Sequence, residues 1–325
     1  MPTSMTPDIS VVIPVYNASA TVERAVRSIL GQSGVNVEII AVDDGSSDNS
    51  VSLLQAIAGT DSRLRVISQP NGGPSKARRT GADAAAGEWL FFLDADDIMT
   101  EGSLSGMLAV AESDTETDMV VSEFMYRQPD GSEQPSLKAP GTPLTGVDYI
   151  GKVFRMEGYW TLSVMLRKEL MKSVTTDSAG MHFGEDALWK IQLLAAARKV
   201  APYPHPAFIY MQMPDSLSSP QTFTDEKFAN FMLYTSWMET FVHQKNLQQP
   251  LAESLAFFRK YNAFQRLHWR RAEGLADALI EVRRDSCRFP ALRRSLNRYE
   301  RKILRYFAFG RKLGEWLLRR RLNRK

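Results

Sequence analysis

Cysteine is nearly absent from this 325-residue chain: Cys287 stands alone. That excludes an intrachain disulfide framework and any zinc site built from several thiolates. Histidine is scarce too, with four dispersed residues, so a His/Cys metal cage is not expected. No apolar run approaches the roughly 18 residues that a membrane-spanning helix needs. Residues 1–10 are polar and lack the basic-then-apolar order of a secretory leader. The expected residence is therefore cytoplasmic, and the Asn17-Ala18-Ser19 sequon is expected to stay unmodified. Neither a Gly-x-Gly-x-x-Gly nor a P-loop pattern appears, so dinucleotide oxidoreduction and NTP hydrolysis lack their glycines.

What is present suits a folded protein: 44% hydrophobic, 24% charged and 10% aromatic residues. The length allows two domains, or one large domain with an extension. The net charge of +3 conceals an asymmetry. Residues 288–325 hold 14 Lys/Arg and 2 Asp/Glu, whereas the rest holds 26 basic and 35 acidic side chains. An acidic body carries a basic tail.

The first hundred residues alternate in texture. Ile9–Val15 is a nearly continuous β-branched run, as expected of a strand buried on both faces. Val22, Ala25, Val26 and Ile29 follow at helical spacing, and Val37–Val42 again reads as a strand. A helix over about 47–58, a strand at 64–68, a helix over about 75–86 and a strand at 89–93 complete the series. This order predicts an α/β fold with a mostly parallel sheet flanked by helices, and ligands beyond the carboxyl ends of its strands. Later, 119–126 and the residues after 131 read as a strand pair, with helices over about 144–154 and 185–197. Residues 202–220 carry five prolines and read as extended or looped. After residue 224 the sequence is helix-forming, which divides the chain into 1–222 and a helical region 223–325.

Two of these strands end in acidic clusters. Asp43-Asp44-Gly45-Ser46 also suits an ordinary strand-to-helix turn. Asp94-Ala95-Asp96-Asp97 is more telling, because extended backbone puts Asp94 and Asp96 on one face. Two carboxylates held together repel unless a cation neutralises them, and oxygen-only ligands suit Mg²⁺ or Mn²⁺. A calcium loop is excluded, because Met99 stands where it needs glycine and Ser105 where it needs the closing Glu.

Pro14-Val15-Tyr16-Asn17, Asp43-Asp44-Gly45-Ser46, Asn71-Gly72-Gly73-Pro74, Gly87-Glu88-Trp89 and Asp94-Ala95-Asp96-Asp97 occur in one register. In that order and spacing the chain resembles the family 2 inverting glycosyltransferases of the GT-A fold, over about residues 8–220. The resemblance implies that Pro14, Val15, Tyr16, Asn17 and Asp44 hold the uracil of a UDP-sugar, with Asp43 a close second. It implies Asp94 and Ala95 near the ribose, and Asp96 as ligand of a Mn²⁺ or Mg²⁺ ion that bridges the diphosphate. Lys76 or Arg79 would approach the nucleotide, or else belong to a solvated helix face.

Inverting transfer needs a base for the acceptor hydroxyl. Glu185-Asp186 resembles the family's motif at a helix start, which makes Asp186 the base and Glu185 its supporting neighbour. His182 is a phosphate or metal contact or, more simply, a structural histidine. Trp160 and Trp189 line the acceptor site or belong to the core. Met211 and Met213 stand where related enzymes often place basic residues, which argues against a cationic clamp from that loop.

In the tail, Leu292, Leu296, Tyr299, Ile303, Tyr306, Leu313 and Leu317 recur at helical steps among Arg and Lys. An amphipathic basic helix of this kind suits an anionic bilayer surface. The alternative is an apolar stripe packed on the body, and no nucleic-acid recognition motif is present. The implied setting is surface polysaccharide synthesis on a glycan or lipid-linked acceptor, peripheral to the inner face of the plasma membrane. Helices after residue 225 equally suit a homodimer interface. Two other readings remain: a nucleotidyltransferase, which would need a Gly-rich phosphate loop after the first strand, and a non-catalytic scaffold, which would not need all of its carboxylates.

Overall fold

The computed structural model describes residues 6–159, 161–175, 181, 184–212, 224–269, 271 and 274–322. Backbone packing divides the chain into two compact units, Met1–Tyr149 with Tyr159–Ser236, and Ile150–Gly158 with Trp237–Lys325. The boundary expected at 222/223 lies outside the described residues.

The first unit is organised by a 9-stranded sheet. Its strands are β1 (Ile9–Val15), β2 (Val37–Asp43), β3 (Leu64–Ser68), β4 (Trp89–Phe92), β5 (Ile98–Met99), β6 (Thr117–Arg127), β7 (Glu133–Pro135), β8 (Met165–Arg167) and β9 (Lys199–Met211). The order is β3-β2-β1-β4-β8-β6-β9-β5, with β7 on β6. The parallel run β3-β2-β1-β4 continues through antiparallel β8 to β6 and β9, which again run parallel to β1. Burial explains the run-like sequences: Ile9, Val11, Val12 and Ile13 are fully buried in β1, and all of β4 is buried.

The connecting helices are α1 (Val22–Leu30), α2 (Ser50–Ala58), α3 (Pro74–Ala84), α4 (Ser103–Glu112), α5 (Gly146–Phe154) and α6 (Glu185–Ala196). In α1 the buried set is Val22, Ala25, Val26 and Ile29, the stripe expected from spacing. The chain moves outward from β1 to β3 and then returns to place β4 on the other side of β1. That reversal opens a crevice at the carboxyl ends of β1 and β4, where open α/β sheets bind ligands.

Of the two readings left open for residues 202–220, extended or looped, residues 202–211 take the extended one and form most of β9, with Pro202, Pro204 and Pro206 inside it. The prolines are tolerated because β5 pairs only with Phe208 and Ile209, which leaves the proline stretch an edge. Register against β6 also shifts around Glu123, opposite this stretch. One expectation needs correction: the basic tail is not one amphipathic helix. It forms α10 (Pro290–Ser295), α11 (Arg298–Tyr306) and α12 (Arg311–Leu322), broken by the Asn297–Glu300 capping box and by Gly310 at φ 112°.

The second unit also contains α8 (Ala252–His268) and α9 (Leu275–Arg288); α7 (Asp225–Gln244) precedes them in the chain. Its core gathers Leu267, Leu275, Leu279 and Val282 with Leu296, Ile303, Leu304, Phe307 and Leu318. Much of the tail's apolar stripe is thus spent in this core, while Leu313 and Trp316 stay exposed.

Gly146 opens α5 where a Cβ would lie 1.8 Å from the Leu194 carbonyl oxygen and 2.8 Å from that of Ala197. Both obstacles are backbone, so neither yields by a rotamer change. Gly146→Ala is expected to destabilise the fold by about 3 kcal/mol, at the high end of overpacking costs. Denaturant melts check this, and an unchanged midpoint would refute the close approach.

Candidate functional site

Four strand ends supply one cleft of about 690 Å³. Pro14, Val15, Tyr16 and Asn17 line it after β1, Asp44 after β2, Asn71, Gly73 and Pro74 after β3, and Asp94, Ala95 and Asp96 after β4. Eight of the eleven expected site residues line this cleft, while Asp43, Glu185 and Asp186 stand outside the lining.

The first loop is tied to the second. Asn17, at a left-handed φ of 49°, accepts from the Ser47 amide at 2.8 Å, and its own amide donates to Ser46 Oγ at 2.9 Å. This cross-tie leaves Tyr16 56% exposed at the cleft's edge, available to a flat ligand. Asp43 is buried and accepts from the Ser46 amide at 3.0 Å, so it shapes the turn. Asp44 accepts from Gln69 Nε2 at 2.7 Å, Gly72 N at 3.0 Å and Gly73 N at 2.7 Å. Its carboxylate thus orders the loop after β3, with Gly73 held at φ 86°.

The second acidic cluster carries surplus negative charge. Burial, then the nearby Asp94, raises the Asp96 pKa. Burial, then Asp94 and Asp96, raises that of Asp97 well above the usual carboxylate range. Asp97 Oδ1 accepts from the Met211 amide at 3.1 Å, whereas buried Oδ2 has no partner among the described residues. The residue expected to weaken a cationic clamp thus meets this cluster through its backbone; Met213 lies outside the described residues. Among the described residues no three acidic, His or Cys side chains converge on a point. The donor set still fits Mg²⁺ or Mn²⁺, which commonly take one or two carboxylates and draw the remaining ligands from phosphate and water.

The residue that unites the site is one that sequence reasoning missed. Arg78 lies on the inward stripe of α3 with Ala77, Gly81 and Ala82, and its side chain is only 5% exposed. Its Nη2 donates to Asp94 Oδ1 at 2.8 Å and its Nη1 to Asp186 Oδ1 at 2.5 Å, with Glu185 Oε1 3.9 Å away. Burial lowers the guanidinium's pKa, but Asp186, Asp94 and Glu185 outweigh it and raise it. The sequence signal was positional: residue 78 is in helical phase with small residues that face the sheet. Lys76 and Arg79, the expected cations, behave otherwise. Lys76 is exposed beside Gly72, and Arg79 donates to the Met171 and Val174 carbonyls at 3.1 and 2.6 Å while covering Trp189.

Asp186 sits in the first turn of α6, whose N-cap Gly184 adopts φ 89°. Burial first, with Asp94 and Glu185 adding and Arg78 opposing, pushes its pKa up to about 7. One oxygen is fixed by Arg78; among the described residues no hydrogen-bond donor reaches the other. One turn on, fully buried Lys190 donates to the Thr161 carbonyl at 2.9 Å and faces the Tyr149 ring. Burial pushes its pKa down to about 7, with Asp186 pulling the other way. Trp189 is fully buried, a core residue; Trp160 and His182 lie outside the described residues.

Known proteins resemble this chain in sequence and fold. The model of "Glycosyl transferase family 2" matches residues 10–183. EpsJ of Bacillus subtilis, an uncharacterized glycosyltransferase, is 29% identical over 220 residues, covering 66% of this chain and 64% of its own length. The succinoglycan biosynthesis protein ExoO of Rhizobium meliloti is 31% identical over 222 residues, 65% of this chain and 63% of its own. The chain thus spans less than two thirds of these relatives. Residues 1–349 of S. aureus TarS, in complex with UDP-GlcNAc, share the fold with a TM-score of 0.67 at 18% identity, covering 95% of this chain and 89% of that one.

Proposed function

The chain belongs to glycosyl transferase family 2, and from that premise we propose that it moves a sugar from a UDP-sugar to an acceptor hydroxyl with inversion. The observation that carries the reading is the Arg78 fork, which ties a cleft carboxylate, Asp94, to a candidate base, Asp186. The free Asp186 oxygen takes the acceptor's proton as the acceptor oxygen forms its bond to the anomeric carbon. The bond from that carbon to the diphosphate breaks, and UDP leaves with the electron pair. Glu185 adds negative charge beside the base, which raises its affinity for a proton, while Arg78 favours its ionised form.

Pro14, Val15, Tyr16, Asn17 and Asp44 would frame the uracil, while Asp94 and Ala95 lie toward the ribose. Asp43 supports them by fixing the turn. Asp96 would hold a Mn²⁺ or Mg²⁺ ion, which offsets charge on the departing diphosphate when bound. The UDP-GlcNAc bound by TarS supports a UDP-hexose or UDP-N-acetylhexosamine donor. ExoO's role in succinoglycan synthesis supports a glycan or lipid-linked glycan acceptor in surface polysaccharide assembly. In this reading residues 1–222 are catalytic, and 223–325 bring the enzyme to the inner face of the membrane or to a second copy. No helix among the described residues is long and apolar enough to cross a membrane, consistent with peripheral contact.

Calorimetric titration with UDP tests the donor and metal assignments together. Mn²⁺ is expected to tighten binding by about tenfold, and Asp96→Ala to remove that gain while sparing metal-free binding. No UDP binding under either condition would sink the donor assignment.

A further inference from the structure

Within the second unit, α8, α11 and α12 enclose a cleft of about 650 Å³ that the transfer reaction does not use. His268, Tyr299, Lys302, Tyr306, Arg320 and Arg321 supply its polar lining, over a floor containing Leu267 and Leu317. Among the described residues no carboxylate belongs to that lining. The two acids of the tail are engaged elsewhere: Glu300 pairs with Lys260 at 3.1 Å and caps α11, and Glu315 pairs with Arg311 at 2.7 Å. Lys302, Arg320 and Arg321 therefore converge without an anionic partner among the described residues.

The cations are also partly fixed. Arg321 stacks on Tyr299 with its guanidinium carbon 4.6 Å from the ring centre, and Arg320 lies 5.4 Å from that of Trp316. Arg321 also donates to the side chains of Tyr299 and Tyr306, which hold it in place, and guanidinium N–H groups beyond those contacts suit phosphate oxygens. The two tyrosine hydroxyls accept from Arg321 and each still has its own O–H to donate.

The surroundings indicate how the phosphate is carried. Leu313, Trp316, Leu317 and Arg320 follow i, i+3, i+4 and i+7 spacing on one face of α12. Leu313 is 43% and Trp316 54% exposed. An exposed tryptophan and leucine beside a cationic cleft suit the boundary between headgroups and acyl chains. A free phosphate would make no use of them.

We propose that this cleft binds the phosphate group of an anionic lipid at a bilayer surface. The proposal rests on the peripheral-membrane part of the functional reading and deepens it by naming the site. Residues 302, 320 and 321 clasp the phosphate, and 313 and 316 enter the interfacial layer beside it.

The test uses the full chain and two charge-matched double variants, with thermal melts to verify folding. Lys302→Gln/Arg320→Gln removes two exposed cleft cations; Arg293→Gln/Arg294→Gln removes two exposed cations that do not line it. Flotation with phosphatidylcholine vesicles, with and without phosphatidylglycerol, gives the membrane arm. Inorganic pyrophosphate titrated in EDTA gives the soluble arm, where binding in the donor cleft is common to all three proteins. The cleft variant is expected to lose about 30-fold in affinity for anionic vesicles, from two surface cations. It should also lose the part of pyrophosphate binding that the other variant keeps. Equal losses in the two variants would show diffuse charge and overturn the site. Pyrophosphate binding without vesicle binding would overturn the lipid source and the peripheral reading, leaving the transferase assignment standing. Preferential capture of an RNA oligonucleotide over anionic vesicles would overturn it in favour of nucleic acid.

Discussion

Asp186→Asn is expected to lower kcat by about 10³-fold while leaving the Kd for UDP within about twofold of its original value. Asparagine preserves the size of the side chain and retains a carbonyl that accepts from Arg78, so the cleft should keep its shape. What it removes is the second oxygen's ability to take a proton, which matters only as the acceptor attacks. A loss confined to kcat therefore separates a base from a residue that merely holds the donor. The pH profile gives an independent check. Burial and the neighbouring carboxylates push the Asp186 pKa up to about 7. A base must be ionised to accept, so the rate should rise with pH through about 7 and level off above it. Lys190→Met removes a nearby positive charge that favours the carboxylate, and should move this limb to higher pH. Wild-type kcat in Asp186→Asn, or an acid limb unmoved in Lys190→Met, would assign the base elsewhere.

The parts of this fold that were legible in the sequence are those where one physical signal dominated. Ile9–Val15 and Trp89–Phe92 are buried on both faces, so their apolar runs had no competing explanation. The acidic clusters at the ends of β2 and β4 were legible because strand ends on one sheet edge converge by topology alone. Their division of labour was not. Asp43 and Asp44 are adjacent, yet one serves its own turn and the other orders a loop nearly thirty residues away, a long-range matter. β8 was missed because three residues carry no usable period, and β9 stayed open between extended and looped because its prolines suit either until the edge position is known. In the tail, helical spacing identified an apolar stripe but could not say what covered it. Ile303 and Phe307 went to the unit's own core, while Trp316 did not.

Arg78 shows the converse case: a cation in helical phase with small residues belongs to no motif, and only the fold brings Asp94 and Asp186 to it. The structure argues for a large effect at this position. Arg78→Gln leaves Asp186 and Asp94 facing one another without the guanidinium that joins them. Removing one member of a buried ion pair costs about 3–5 kcal/mol. Asp94 and Asp186 keep 37% and 29% of their side-chain surface, so water offsets part of that, and about 2 kcal/mol is the expected loss of stability. The effect on turnover should be larger than on stability. Asp186 loses both the contact that fixes its position and the charge that keeps it ionised, so kcat should fall by about 100-fold and the acid limb move upward. Arg78→Lys separates the two contributions. An ammonium restores a positive charge, and with it most of the stability and the position of the limb, but one nitrogen does not reproduce a planar fork with separate N–H groups for two carboxylates. Turnover should therefore remain depressed in Arg78→Lys even where its pH profile recovers. If lysine restored kcat in full, charge alone would account for Arg78, and the fork would have no part in placing the base.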